Sequence, residues 1–354
     1  MSTFTEQDLP WLAPALHQLL QPQRSHALIL HGAAGSGLFE LALRAAQAWL
    51  CEAPGPGGLP CDQCAACHLA LAHSHADLRV VMPEAEQLAR QWQASADAEG
   101  EGDSESRSKR KPSREIKVEA IRQAIDWAHT SSGRGRGKVL VFHPADAMNL
   151  VSANALLKTL EEPAPGVRLL LCVDNPERLL PTIRSRCQRL RLDPPPVEQA
   201  LAWLRRGPLP EPEVMLHAAG GEPLAALALA QAGMTAELWT QLPAQVAAGE
   251  VRGLAVLPLP QALRALQCLC HDLLAVHVQG HARYFPGTSL PQGLALPALT
   301  AWGDQLRRAA RHDEHPWHAP LLLESLVAEG QSVMLPHRAA RRPPGAGVRR
   351  PAPR

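Results

Sequence analysis

Three short stretches carry residue types at spacings that chemistry can use. In "HGAAGSGLFE", Gly32 and Gly37 keep the separation of a phosphate-binding loop, G-x-x-x-x-G-K-[ST]. Such a loop needs backbone N–H groups around the phosphates, a lysine on the β- and γ-phosphates and a hydroxyl on magnesium. Here Leu38 stands at the lysine position and Phe39 at the hydroxyl position. A lysine about 4 Å from one phosphate charge is worth roughly 4 kcal/mol at an effective dielectric near 20, so its loss forfeits about three decades of affinity. An ordinary glycine-rich strand-to-helix turn has the same spacing and needs no nucleotide to explain it. The second stretch holds Cys51, Cys61, Cys64 and Cys67 in the pattern C-x9-C-x2-C-x2-C. Four thiolates close a tetrahedral Zn²⁺ site with no open position, which is the chemistry of a structural metal and not of a catalytic one. The third is "SRC", Ser185-Arg186-Cys187. A guanidinium offers a fixed fork of donors to phosphate oxygens, although with Arg184 and Arg189 beside it Arg186 also reads as one of several solvated charges on a surface turn.

The elements that must position these residues follow from apolar spacing. "LPWLAPALHQLLQP" predicts a helix, "HALILHG" a short strand and "LFELALRAAQAWLC" a second helix, so the glycine loop is a strand-to-helix turn. "DLRVVMP", "GKVLVFHPAD", "VRLLLCVDN" and the stretch after "PTIRSRC" predict further strands, the apolar ones of the buried parallel type. "IKVEAIRQAIDWAHT" and "SANALLKTLEEP" predict the helices between them, the second closed by Pro163. Alternation of this kind means an α/β fold with a parallel sheet. Where P-loop ATPases end the corresponding strand in magnesium-binding acids, "KVLVF" ends in His143 and Pro144, and Asp146 arrives too late. His143 is a base or ligand on one reading and a packed residue on the other. His68, His73 and His75 read as helix-end residues, since four cysteines already saturate one zinc, and Cys172, Cys187, Cys268 and Cys270 read as packing residues on apolar segments.

At 354 residues the chain predicts two or three domains. Its 35 Lys and Arg against 34 Asp and Glu leave a net charge of +1, which excludes wholesale attraction to polyanions. There is neither a secretory signal pattern nor an apolar run long enough to span a bilayer, so the expectation is a cytoplasmic protein with no membrane contact, whose clustered cysteines bind metal in a reducing compartment. From about Ser95 to Arg114 the sequence is acidic and then basic, which predicts a disordered insert. The Arg- and Pro-rich tail from Pro336 predicts disorder as well.

The order of "HALILHGAAGSG", the cysteine cluster, "VLVFHPADAMNLVSANALLKTLEEP" and "TIRSRC" resembles the bacterial clamp-loader ATPases of the AAA+ class, over about residues 10–192. The missing loop lysine points to the delta-prime branch of that family and away from the ATP-hydrolysing tau/gamma branch. This resemblance implies an α/β AAA+ P-loop-type core over residues 1–192 containing the zinc module at 51–67. A helical lid at 193–245, an all-helical collar for oligomerisation at 246–335 and a tail at 336–354 follow. It also implies that Arg186, within the motif Ser185-Arg186-Cys187, acts in trans as an arginine finger on a neighbour's ATP. Leu224 in "GGEPLAAL" falls where the ATPases carry a lid arginine, so this chain is expected to bind no ATP. The implied partners are tau/gamma and delta subunits, with the sliding clamp and primer-template DNA reached through the complex. An active tau/gamma-like ATPase and a zinc-stabilised nucleic-acid-binding module are the competing readings. Leu38, Phe39 and His143-Pro144 weigh against the first, and near-neutral charge without aromatic stacking runs weighs against the second.

Overall fold

The computed structural model describes residues 9–21, 25–92, 112–287, 290–311 and 318–335. Residues 95–111 of the expected insert and the expected tail at 336–354, with its arginines, lie outside the described residues. The chain divides into two compact units, one of residues 1–207 and 221–225, the other of residues 208–220 and 226–354.

The first unit is built on a five-stranded parallel sheet of β1 (Ala27–His31), β2 (Leu78–Val81), β3 (Lys138–Phe142), β4 (Val167–Val173) and β5 (Gln188–Arg191), in the spatial order β2-β3-β4-β1-β5. The inner strands are apolar on both faces because both faces are covered. On one side Leu28, Leu30, Val139, Val141, Leu170 and Cys172 pack under α1 (Ala13–Leu20) and α2 (Leu38–Leu50). On the other Ile29, Leu140, Phe142, Leu169 and Leu171 pack under α5 (Val118–Ala128) and α6 (Leu150–Glu161). The expected α/β parallel core is therefore present. β5, an edge strand with only Leu190 buried, carries Gln188, Arg189 and Arg191 on its exposed positions.

Of the two further helices, α3 (Ala65–Leu71) is anticipated only by the histidines read as helix-end residues, and α4 (Glu84–Ala89) has no counterpart among the elements the sequence predicts. Both are short, and the polar stretch "EAEQLA" of α4 buries none of its residues, so it offers no apolar stripe to read. The short α7 (Pro181–Arg184) leads into β5, and α8 (Val197–Leu204), whose Trp203 meets Trp11 edge-on at 5.5 Å, follows it.

The second unit is helical: α9 (Pro212–Ala218), α11 (Ala236–Ala248), α12 (Leu259–His277), α13 (Leu296–Arg311) and α14 (Ala319–Met334), with α10 (Pro223–Gln231) running across the division between units. Trp302 and Phe285 are among its largest buried side chains, and Phe285 stacks on Trp239 at 4.8 Å. Asp272 is wholly buried and accepts the backbone N–H groups of Arg283, Tyr284 and Phe285 at 2.7–3.0 Å, which satisfies a carboxylate that would otherwise be costly inside. No helix of the described residues is long and apolar enough to cross a membrane.

Candidate functional site

The glycine loop joins β1 to α2 as its spacing predicts, and its own chain packs against it closely. A Cβ on Gly32 would lie 2.6 Å from the Leu192 carbonyl oxygen. Gly35 has φ +88° and would place a Cβ 2.6 Å from that of Ala225, while its carbonyl accepts the Leu224 N–H at 3.3 Å. Only glycine meets both demands, the left-handed backbone and the close approach. Gly37, at φ +102°, caps α2, and the Trp11 indole donates to the Ser36 carbonyl at 2.7 Å. Leu224, at the expected place of a lid arginine, thus joins the core around the loop instead of presenting a charge to it.

Leu38 and Phe39 are buried with the rest of α2's inner face. The Phe39 ring stacks on His143 at 4.7 Å between centroids and meets Trp92 edge-on at 5.6 Å. Over the same ring, 4.4 Å from its centroid, lies the Arg90 guanidinium. Arg90 bonds Glu86 at 2.5 Å and Glu40 at 3.2 Å, and its Nη2 lies 3.2 Å from His143 Nε2. The contact with His143, then Arg90, holds the Glu86 carboxyl down to about 2 in spite of its burial. Phe39 and His143 occupy the two positions that hold magnesium in a working loop, and here an internal cation spans them. His143 is accordingly a packed residue. Sequence reasoning missed Glu86, Arg90 and Trp92, because they sit in and after α4, where no periodic signal exists.

The four cysteines come together. Cys51 follows α2, Cys64 caps α3 and Cys67 lies in its first turn, and all four Sγ atoms fall within 4.8 Å of one another. The Cys51–Cys61, Cys51–Cys64 and Cys61–Cys67 separations are 3.5, 3.8 and 3.9 Å. Metal–sulphur bonds of about 2.3 Å in a tetrahedron require edges of about 3.8 Å, so the sulphurs fit one tetrahedral ion. Backbone N–H groups of Cys61, Cys64 and Cys67 point at Sγ atoms of Cys51, Cys61 and Cys64 at 3.3–3.4 Å, the arrangement that stabilises thiolates. At Cys64 burial is outweighed by the N–H groups of Cys67 and Glu52 and by the neighbouring sulphurs, which bring the thiol down to about 6. Burial and the Cys64 and Cys51 sulphurs push the Cys67 thiol up. Asp62, inside the cluster, takes a two-pronged bond from the buried Arg44 at 2.5 and 2.8 Å and a third bond from Gln47, so the loop is tied to α2 independently of any ion. His68 lies in the last turn of α3, and His73 just beyond it stacks on Trp92 at 3.9 Å. His75 is buried and accepts the Asp77 N–H.

The Ser185-Arg186-Cys187 turn lies between α7 and β5. Its three residues have three different environments. Ser185 is exposed and donates to the Thr182 carbonyl at 3.1 Å. Cys187 is half-buried against the core under α6, and burial pushes its thiol up to about 12, so it is a packing group. Arg186 is one-third exposed, and its guanidinium is bonded to Glu161 at the end of α6. Arg184 and Arg189 both pair with Glu177, so only Arg186 of the three leans on α6.

A family model described as DNA polymerase III, delta subunit, matches residues 12–196, more than half of the chain and nearly all of the sheet-bearing unit. The delta-prime subunit of DNA polymerase III from Pseudomonas aeruginosa is 36% identical over 222 residues, 61% of this chain and 60% of that protein. The delta-prime subunit from Escherichia coli is 31% identical over 229 residues, 63% of this chain and 60% of its own length. The E. coli tau subunit is 42% identical over a shorter stretch of 83 residues, 23% of this chain and 13% of that subunit. The chain thus spans about 60% of the length of the curated delta-prime relatives it matches. With the expected order of loop, cysteine cluster, α6 and arginine turn in place, the chain belongs to the DNA polymerase III delta-subunit family, among its delta-prime clamp-loader members.

Proposed function

We propose that this chain is a clamp-loader subunit that binds and hydrolyses no ATP and donates Arg186 to the ATP site of a neighbouring subunit. One contrast carries the reading: Leu224 and Ala225 pack on the glycine loop and Arg90 covers Phe39 of the helix that follows it, all within the same chain, while a guanidinium stands partly exposed on the turn that leads into β5, at the opposite end of the parallel sheet. The active-ATPase alternative would need a lysine, a hydroxyl and an acid that Leu38, Phe39 and His143 do not supply. The neighbours are tau/gamma and delta subunits, and the complex works on a sliding clamp and primer-template DNA in the cytoplasm. Residues 193–245 serve as a lid and 246–335 as a collar through which the subunits assemble. The metal at the four cysteines is Zn²⁺, bound at one equivalent and purely structural, because four protein thiolates leave it no position for water.

The test is ATP turnover and clamp loading by the reconstituted complex with Arg186→Ala. The variant folds and assembles as the natural chain does, because the lost pair is a surface one. Turnover at the one neighbouring site falls by up to about 10³-fold, since the guanidinium stabilises charge that develops in the transition state. Bulk turnover falls only in part when other sites stay active, so clamp loading is the sharper measurement. Equal loading rates for the two complexes would remove the proposal.

A further inference from the structure

Arg186 does not reach outward with its donors free. Nε donates to Glu161 Oε1 at 2.7 Å, and Nη2 pairs with the same carboxylate oxygen. Nη1 donates to the Thr182 carbonyl at 2.8 Å and to Ser185 Oγ at 3.2 Å. Ser185 can accept there because its own hydroxyl proton goes to the Thr182 carbonyl. Of the five N–H groups that a guanidinium carries, these contacts take Nε–H, one on Nη2 and both on Nη1. A two-pronged bond to a phosphate needs two adjacent N–H groups, so it cannot form until one of these contacts breaks.

The carboxylate has its own reason to hold a cation. Glu161 is the last residue of α6, where unpaired carbonyls give the helix end a partial negative charge, and Glu162 follows it. A carboxylate there benefits from a cation. Arg184 and Arg189 are taken by Glu177, so among the described residues Arg186 is the cation Glu161 pairs with. Both partners are partly solvated, at 33% and 49% side-chain exposure, and a pair of that kind biases an equilibrium by a factor of up to about five. A nucleotide phosphate, carrying more charge than a carboxylate, displaces it.

We propose that Glu161 is a latch: it parks the Arg186 finger against α6 in the free subunit, and the phosphate oxygens of a neighbour's nucleotide displace it when the subunits close. The inference rests on Arg186 acting in trans and adds what holds that residue beforehand. It makes Glu161 a positioning residue whose removal speeds the neighbour's chemistry, where removal of a simple support would slow it.

The experiment uses the full chain in two settings. In the reconstituted complex, Glu161→Gln raises ATP turnover at the neighbouring site, or lowers its KM for ATP, by about two- to fivefold, and the gain vanishes in the Glu161→Gln/Arg186→Ala double variant. A fall in turnover towards the Arg186→Ala level, or no change, overturns the latch. In the isolated chain, the side-chain Nε–H signal of Arg186 in a ¹⁵N spectrum is protected from exchange with water, and Glu161→Gln removes the protection. An unprotected Nε–H in the natural chain overturns the latch on its own. If Arg186→Ala leaves turnover untouched, the trans-acting reading falls and the latch falls with it. That outcome is distinguishable, because the exchange measurement reports the Glu161 contact whatever the finger does.

Discussion

The glycine loop at Gly32–Gly37 and the arginine turn at Ser185–Cys187 flank neighbouring strands of one sheet, β1 and β5, yet they have opposite characters. In the loop almost every retained feature is a packing feature. Gly32 lies under Leu192, Gly35 under Ala225 and Gly37 beside Leu12, and Leu38 and Phe39, at the positions where the phosphate-loop pattern has lysine and a hydroxyl, are core. The turn is the reverse: of its three residues only Cys187 packs, and the other two keep their polar atoms at the surface. A loop can therefore keep the outline of a binding site for reasons of packing alone, whereas an arginine held at the surface by a carboxylate has no packing reason to be there.

The cysteine cluster tests how far the loop side depends on its supports. Structural Zn²⁺ sites contribute about 10–16 kcal/mol in isolated zinc-finger peptides, and here α2 and the Arg44–Asp62 bridge hold part of the loop without metal. Removing the ion by chelation, or by Cys64→Ser, is expected to cost less than that, on the order of 5 kcal/mol, or about 15 °C in Tm. Affinity for the ion also falls as pH falls, since each thiol must lose its proton to bind. The neighbour's turnover per assembled complex should not change. Elemental analysis and thermal melts with and without chelator check both halves, and protein purified without chelator that contains no zinc would overturn the assignment.

Phe39→Ala separates the two regions more directly. The ring is buried and contacts His143, Trp92 and Arg90, so truncation should cost about 3–5 kcal/mol, roughly 10 °C. Folded chains that remain should still support their neighbour's turnover in full. Arg186→Ala should give the converse, near-natural stability and failed chemistry. A Phe39→Ala chain of unchanged stability would show that the loop is not the packed element described above.

How much of this could be read from the residues follows the same division. The strands of the sheet are apolar runs, and α2, α5 and α6 have regular apolar spacing, so their order and the parallel sheet were legible. So was the convergence of the cysteines, because x2 spacings permit little else once a helix turn separates Cys64 from Cys67. What sits over Phe39 was not. Glu86 and Arg90 belong to a polar segment whose position is fixed by contacts to Glu40, His143 and the Phe39 ring, none of them near it in sequence. The partner of Arg186 was not legible: "SANALLKTLEEP" predicts a helix that ends in two glutamates, but only the folded geometry brings Glu161 to the guanidinium.

The smallest expected effect is the response of the natural chain to nucleotide. A ligand that binds only the folded state stabilises it by RT ln(1 + [L]/Kd). With Kd weaker than about 10 mM, about 2 mM Mg·ATP adds only about 0.1 kcal/mol, a Tm shift below about 0.5 °C. A working loop with Kd near 10 µM would add about 3 kcal/mol and shift Tm by about 6–12 °C. The weak value is expected because the charge that would hold the phosphates is missing at Leu38, and because Ala225 and the Leu224 N–H already occupy the approach to Gly35. A shift of several degrees would mean that nucleotide pays for displacing Leu224 and Ala225 from the loop. The loop would then be a closed binding site and no longer a packing element, and its contrast with the arginine turn would fail.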